Sequence, residues 1–246
     1  MHSWIWTFKA ATYSTGTEVQ SLLNCCPTYN TGMISFILRI YHSFFMVDND
    51  RFEKAITTFD AYNLNDPHHE QVGETSVSKE VLYAQRMSKR LDDFYPAAPQ
   101  YLKLAAHCQH IGRWEIPREA YPMDRKGYLQ WRTVLKTHHA KLAEQILVSC
   151  RYDEDTIEKV KALLLKKGLH SNPDTQVLED VICLVFIEHY LDDFAEKHEP
   201  QKVVDVLKKT LKKMSQRAIE EAGRIPVSER IKLLLHQALR SGPSEQ

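Results

Sequence analysis

Glycine is scarce in this chain, and its scarcity argues against the folds that depend on glycine-rich turns. Only eight glycines occur among 246 residues, and neither GxGxxG nor GxxxxGK[ST] is present. A Rossmann sheet and a P-loop both need glycine where the backbone closely approaches a phosphate group. The sequence therefore disfavours a doubly wound nucleotide-binding domain.

Cysteine, net charge and long apolar runs are limited as well. The five cysteines are odd in number and scattered, which is typical of a reducing compartment. Lys and Arg balance Asp and Glu at 32 each, so no overall field favours nucleic acid or an anionic membrane. The apolar run 33–47 has 15 residues and contains Arg39 and His42, too short and too polar to span a bilayer. We expect a cytoplasmic protein acting on a small molecule; the oligomeric state stays open.

The first 47 residues differ in composition from the rest. They are aromatic and rich in Ser and Thr, with Glu18 as their single acid. The pattern of a secretory signal is not expected here, whereas an organelle presequence and an extension outside the folded domain both stay open. We predict an atypical or poorly ordered extension over 1–47, a single helical domain over 48–240 and a flexible tail over 241–246.

Beyond this segment, apolar residues recur at helical spacing and no strand pattern is predicted. Ser78 is expected to cap one helix, and the apolar middle of another predicts a buried central helix. The fold class is therefore predicted to be all-α. The predicted helices cover 51–63, 78–94, 99–112, 124–150, 153–168, 172–198, 199–223 and 226–239.

Two close pairs of histidines stand out on these helices. His107 and His110 are three residues apart, which predicts that both lie on one helix face. His138 and His139 are adjacent, so only one can face the bundle. His139 shares the apolar stripe of its helix and is the predicted inward member.

Carboxylates on the central helix complete a predicted metal site. Asp180 and Glu188 share one face of that helix. Imidazole and carboxylate ligands suit a divalent metal, with Zn, Mn and Fe left open. Alternatively, these side chains are hydrogen-bonded positions of the core. The predicted ligands are His107, His110, His139 and Asp180, with Glu188 as the catalytic base.

Cationic and aromatic residues follow the first histidine pair. Arg113, Trp114 and Arg118 belong to a loop next to His110, and Arg86 lies on an earlier helix. Arginine forks and aromatic faces are suited to binding a phosphate or nucleotide, so we predict that these four residues bind the substrate. The alternative is that they pack the loop against its own acidic residues.

Residues 82–190 resemble the HD-type metal phosphohydrolases. The stretches LAAHCQHIGRWEIPRE, KTHHAKLAEQIL and LEDVICLVFIEHY match successive helices of that layout, with His139 and Asp180 in register. The resemblance implies an HD-like helical bundle and metal-assisted hydrolysis of a phosphoester or nucleotide-like molecule. Two positions depart from it, because Tyr83 replaces the first histidine and the His-Asp doublet reads Gln109-His110. These departures favour, as the alternative, a non-catalytic module that binds a ligand or a partner.

Residues 52–224 also resemble an uncharacterised helical family, a domain of unknown function. VLYAQRM, QHIGRWEIPR and QVLEDVICLVFIEHY carry this likeness, which covers about 70% of the 246 residues. Members are sometimes labelled glutamyl-tRNA synthetase, and HIGR (110–113) and KMSQR (213–217) resemble the signatures of that enzyme. Its chemistry needs a parallel nucleotide-binding sheet, and none is predicted here.

Overall fold

The computed structural model describes residues 48–169 and 171–240. The chain divides into two units, Met1–Asn49 and Asp50–Gln246, and the fold below is that of the second. The predictions for residues 1–47 and 241–246 lie outside the described residues. Within the described ranges, no helix has both the length and the apolarity needed to cross a membrane.

The described residues form a helical domain with one small hairpin, which confirms the all-α prediction. Two 3-10 turns, Arg113–Glu115 and Arg118–Ala120, lie in the loop before the longest helix. The elements are α1 (48–63), β1 (His69–Val72), β2 (Thr75–Ser78), α2 (Lys79–Phe94), α3 (Gln100–His107), α4 (Arg125–Ser149), α5 (Glu154–Leu164), α6 (Pro173–His189), α7 (Leu191–Glu196), α8 (Pro200–Leu211), α9 (Gln216–Ala222) and α10 (Glu229–Arg240).

The hairpin between α1 and α2 is a correction to the sequence prediction, which placed no strand there. β1 and β2 pair antiparallel with Val72 opposite Thr75, so that two residues form the turn. Gly73, the first of them, has φ +60, as a type II′ turn requires. The strands have four residues each and are mostly exposed. Such short exposed strands do not produce the apolar alternation from which strands are recognised.

The start of α2 also differs from the prediction. Ser78 does not cap the helix with its side chain; its hydroxyl donates to the carbonyl of Asn63 (2.6 Å). Asp66 instead accepts from the backbone N–H of Glu80 (3.2 Å). The α2 N-terminus is therefore capped by a residue 14 positions away, which the local sequence pattern does not reveal.

Two predicted long helices are each broken in two. The helix predicted over 172–198 is interrupted at Tyr190, whose φ of −128 is not helical, between α6 and α7. The helix predicted over 199–223 stops before Ser215, whose hydroxyl caps α9 by accepting from the N–H of Ala218 (3.2 Å). Apolar spacing continues across both breaks, so periodicity alone does not reveal them.

The central position of α6 is confirmed. It packs against α2, α3, α5 and α9, and the side chains of Val181, Leu184, Val185 and Ile187 are fully buried. A helix with neighbours on several sides fixes the surroundings of each of its polar residues. Successive residues of an α-helix point in directions about 100° apart. Two adjacent carboxylates of α6 therefore meet different neighbouring helices.

Candidate functional site

His107, the last residue of α3, lies in a buried hydrogen-bonded position. Its Nδ1 is 2.8 Å from the hydroxyl of Ser88, and its Nε2 is 3.0 Å from a carboxylate oxygen of Asp60. Ser88 belongs to α2 and Asp60 to α1, so the imidazole joins three helices. Both ring nitrogens are occupied by these partners.

His110 lies beyond the end of α3, which corrects the prediction that it shares a helix face with His107. The chain turns here through Gly112, whose φ is +64. The His110 ring stacks on Tyr83, with ring centroids 4.0 Å apart and planes 11° apart. Its Nδ1 is 3.6 Å from a carboxylate oxygen of Glu80, and its Nε2 is 3.4 Å from the guanidinium of Arg113.

His139 is the inward member of the second pair, as predicted, with 3% of its surface exposed. Its Nδ1–H donates to the carbonyl of Ile111 (2.7 Å), so the lone pair lies on Nε2. Burial lowers the pKa of His139 to about 3. His138 is partly exposed and its Nε2 lies 3.2 Å from the carbonyl of Gly112 and 3.3 Å from Glu115.

Five side chains form what we call the His110 cluster: Glu80, Tyr83, His110, Arg113 and His139. The ring centroids of His110 and His139 are 5.9 Å apart. Burial, and then the positive charges of Arg113, Arg132 and Lys166, hold the pKa of His110 well below its usual value. Both imidazoles are therefore neutral at physiological pH.

Glu80 is the member of this cluster that the sequence predictions missed. Its side chain is buried, and desolvation raises its pKa to about 7, although the charge of Arg113 opposes this shift. An acid in the first turn of a helix is ordinarily interpreted as a partner of the helix dipole. Only its tertiary contacts with His110 and Arg113 distinguish Glu80 from an ordinary acid in the first turn of a helix.

Replacing Glu80 with glutamine should stabilise the protein in alkaline solution and have much less effect in acid. The raised folded-state pKa means that Glu80 stabilises the fold fully below its ordinary pKa of 4.5, and this contribution is lost as the pH rises through about 7. In urea unfolding, the advantage of the glutamine variant should grow by about 2 kcal/mol between pH 5 and pH 8. Glu229→Gln, at an exposed helix position, should show no such growth; a difference independent of pH for Glu80→Gln would contradict the assignment.

Asp180 and Glu188 share a face of α6, as predicted. Asp180 meets the start of α9, and Glu188 meets α2. Asp180 accepts from the N–H (2.8 Å) and hydroxyl (2.6 Å) of Ser215, and from the amide of Gln176 (3.0 Å). Glu188 is paired with Arg90, whose Nε is 2.9 Å away. The carboxylate of Asp180 is thus occupied in joining α6 to the start of α9, and its convergence with the histidines stays a prediction.

The neighbouring carboxylate, Glu179, lies in different surroundings. It is buried and pairs with Lys166, and Lys213 is 3.5 Å away. Lys166 is one of the cations that lower the pKa of His110. Its φ of +56 is in the left-handed region, which costs a non-glycine residue free energy. This conformation ends α5, where the N–H of Lys167 donates to the carbonyl of Ala162 (3.0 Å).

The four residues predicted to bind substrate have different partners. Arg113 contacts His110 and lies over the Trp131 ring, 5.0 Å from its centroid. Arg86 pairs with Glu70 (2.6 Å). Arg118 donates to the carbonyls at 121, 122 and 124, and the Trp114 ring packs on the ring at 62. Among the described contacts of these four, Arg113 alone touches a predicted metal ligand.

The metal role of His107, His110, His139 and Asp180 stays a prediction. Across residues 48–169 and 171–240, no three His, Cys, Asp or Glu side chains are grouped so that they could hold an ion. The described structure brings His110 and His139 together, whereas His107 and Asp180 are each bound by other side chains.

Comparison with known families places this site within a recognised domain. A family profile described as Domain of unknown function (DUF4202) matches residues 53–235, about three quarters of the chain. The chain belongs to the DUF4202 family. This confirms the resemblance to an uncharacterised helical family, and the DUF4202 match contains the whole His110 cluster. Neither a curated protein nor a solved structure matches the chain.

Proposed function

We propose that this DUF4202 chain is a helical binding module whose His110 cluster holds a phosphorylated small molecule. The observation that carries the proposal is the guanidinium of Arg113 beside His110, in a cluster with two neutral histidines. Arg113, Arg132 and Lys166 all act on His110, and the carboxyl of Glu80 is only partly ionised near neutral pH. Arg113 would attract an anionic group that enters this cluster, and the partly ionised Glu80 would repel it less than a full carboxylate.

The donors available in the cluster suit a phosphate. Arg113 presents a forked guanidinium that is 28% exposed, and His110 is 20% exposed. Arginine binds phosphate oxygens in a bidentate manner, and a neutral imidazole can donate one hydrogen bond and accept another. Protonated Glu80 adds a further donor. We assign charge neutralisation to Arg113 and orientation of the phosphate to His110 and Glu80.

The likeness to the HD layout supports a site that keeps the position of the HD metal site but has lost some of its metal ligands. Tyr83 occupies the position that this layout gives to its first histidine, and its ring covers one face of His110. The nitrogens of His107 and the oxygens of Asp180 are already used in joining helices. In this proposal fixed cations take the place of a metal ion in holding the phosphate.

Metal-assisted hydrolysis of a phosphoester is the second candidate, and two observations favour it. The Nδ1–H of His139 donates to the carbonyl of Ile111, an arrangement common for histidines that bind metal through Nε2. The nearly neutral pKa of Glu80 also suits a general base. A bound Zn, Mn or Fe ion would supply an activated water to such a site.

Replacing Arg113 with methionine should weaken anion binding while leaving the helices folded. Isothermal titration of the full chain with inorganic pyrophosphate should give a Kd at least about tenfold higher for Arg113→Met than for the unchanged protein, since a charged hydrogen bond contributes about 1.5–3 kcal/mol. Arg224→Met is the matched control, because Arg224 is an exposed arginine on another part of the domain. Equal affinities for all three proteins, or no binding to any, would refute the proposal; circular dichroism checks that each is folded.

A further inference from the structure

The N-terminal half of α4 extends past the helix beside it. α4 has 25 residues and α5 has 11, which corresponds to lengths of about 37 and 16 Å. The two helices follow one another through a short connection and pack together. Lys161 of α5 binds Glu144 of α4 (2.8 Å), and α5 ends three residues later at Leu164. The α4 residues before about position 140 therefore have no α5 residues alongside them.

The face of α4 that is buried in its C-terminal half continues into this extension. Ala140, Ala143 and Leu147 are buried in the half that packs on α5. Residues that lie three or four positions apart share one helix face, and this face can be followed from Ala140 towards the N-terminus of α4. The residues reached are Lys136, Arg132, Leu129 and Arg125, and with the adjacent Tyr128 they define what we call the α4 overhang.

The α4 overhang combines positive charge with exposed apolar surface. Its three cations are Arg125, Arg132 and Lys136, and residues 125–143 contain no Asp or Glu. None of the three has an ion pair with a described residue. Leu129 is 56% exposed and Tyr128 is 45% exposed between these cations. Exposed apolar side chains flanked by charge are typical of protein interaction surfaces.

We propose that the α4 overhang docks an acidic amphipathic helix of a partner protein, lying in line with α5. The part of α4 without α5 beside it, residues 125–139, has 15 residues, a length of roughly 22 Å or four helical turns. The partner's carboxylates would pair with Arg125 and Lys136, and its apolar stripe would cover Leu129 and Tyr128. A nucleic acid would use the cations but gain little from the aliphatic side chain between them. The overhang shares Arg132 with the cations that act on His110. The residues changed in the test below, Arg125, Leu129 and Lys136, lie outside the His110 cluster, so the two proposals can fail separately.

The test is fluorescence anisotropy with the full chain and a labelled 16-residue helical peptide of Glu, Leu and Ala, with Leu at every third or fourth position. We expect binding that weakens as salt is raised. Arg125→Glu/Lys136→Glu should raise the Kd at least tenfold, and Leu129→Gln should raise it several-fold. Lys209→Glu/Lys212→Glu, at two exposed positions of another segment, is the matched control and should leave the Kd unchanged.

Four outcomes would overturn the proposal. The peptide fails to bind the unchanged protein at about 1 mM, a concentration at which even weak complexes form. The control pair weakens binding as much as the overhang pair, which would mean unspecific attraction. Leu129→Gln leaves the Kd unchanged, which would mean that charge alone acts. Finally, phosphatidylserine vesicles or a single-stranded oligonucleotide bind through the α4 overhang, whereas the peptide does not bind it.

Discussion

Asp180→Ala should lower the free energy of unfolding by about 3 kcal/mol or more. The substitution removes the acceptor of the partly buried N–H and hydroxyl of Ser215, whereas the Gln176 amide keeps the carbonyl of Lys213 (2.8 Å). Each buried group left unsatisfied costs about 1–3 kcal/mol. The loss should be measured by urea denaturation with circular dichroism. We expect α9 to lose protection in hydrogen exchange first, because Asp180 holds its first residues.

Asp205→Ala provides a closely matched control. Asp205 also lies on a helix and accepts from a glutamine four residues earlier, Gln201, at the same 3.0 Å. It is exposed, and its hydrogen bond to Gln201 lies within one helix, so its removal should cost about 0.5 kcal/mol or less. If Asp180→Ala had as small an effect, Asp180 would not be the buried joint between α6 and α9.

Gly127→Ala should be the second severe change, at about 3 kcal/mol. A Cβ at this position in the first turn of α4 would lie 2.8 Å from the carbonyl carbon of Pro122 and closer still to its oxygen. Those atoms are backbone, so the whole loop that carries Arg118 would have to move. Thermal denaturation should therefore show a lower melting temperature, together with increased proteolysis within residues 116–124.

Gly223→Ala separates this clash from a general effect of losing glycine. A Cβ there meets nothing closer than 3.4 Å, and its φ of −66 suits alanine. Removing a glycine at such a position stabilises a protein by about 0.4–1 kcal/mol, because the unfolded chain becomes less flexible. Opposite signs for the two substitutions are expected; a neutral Gly127→Ala would show that the loop adjusts without cost.

Helical periodicity was sufficient to predict the fold class and the buried central helix. The inward orientation of His139 followed from the same signal, because it lies on the apolar stripe of α4. Breaks at Tyr190 and Ser215 were missed, since the apolar spacing continues across them. Capping from a distance, as by Asp66, depends on tertiary structure and leaves no local pattern.

The candidate site was predicted only in part, for reasons of helix phase. His110 lies beyond the end of α3 and therefore turns to Tyr83 instead of following His107. The α6 face with Asp180 meets α9, while Glu179, one residue earlier, meets Lys166. Which face of a central helix meets which neighbour depends on the packing of the whole domain. Sequence spacing shows that residues share a face, but it does not show what that face contacts.

The most direct test of the proposed function is pyrophosphate binding before and after removal of metal. Protein purified without a histidine tag would be titrated with pyrophosphate, then treated with EDTA, dialysed and titrated again, with metal content measured at both stages. If fixed cations hold the phosphate, the Kd stays within about twofold after chelation and rises at least tenfold in Arg113→Met. Three results together would contradict this account and establish a metal-dependent site. The purified protein would contain stoichiometric metal, EDTA would abolish pyrophosphate binding, and His110→Ala would lose both the metal and the binding.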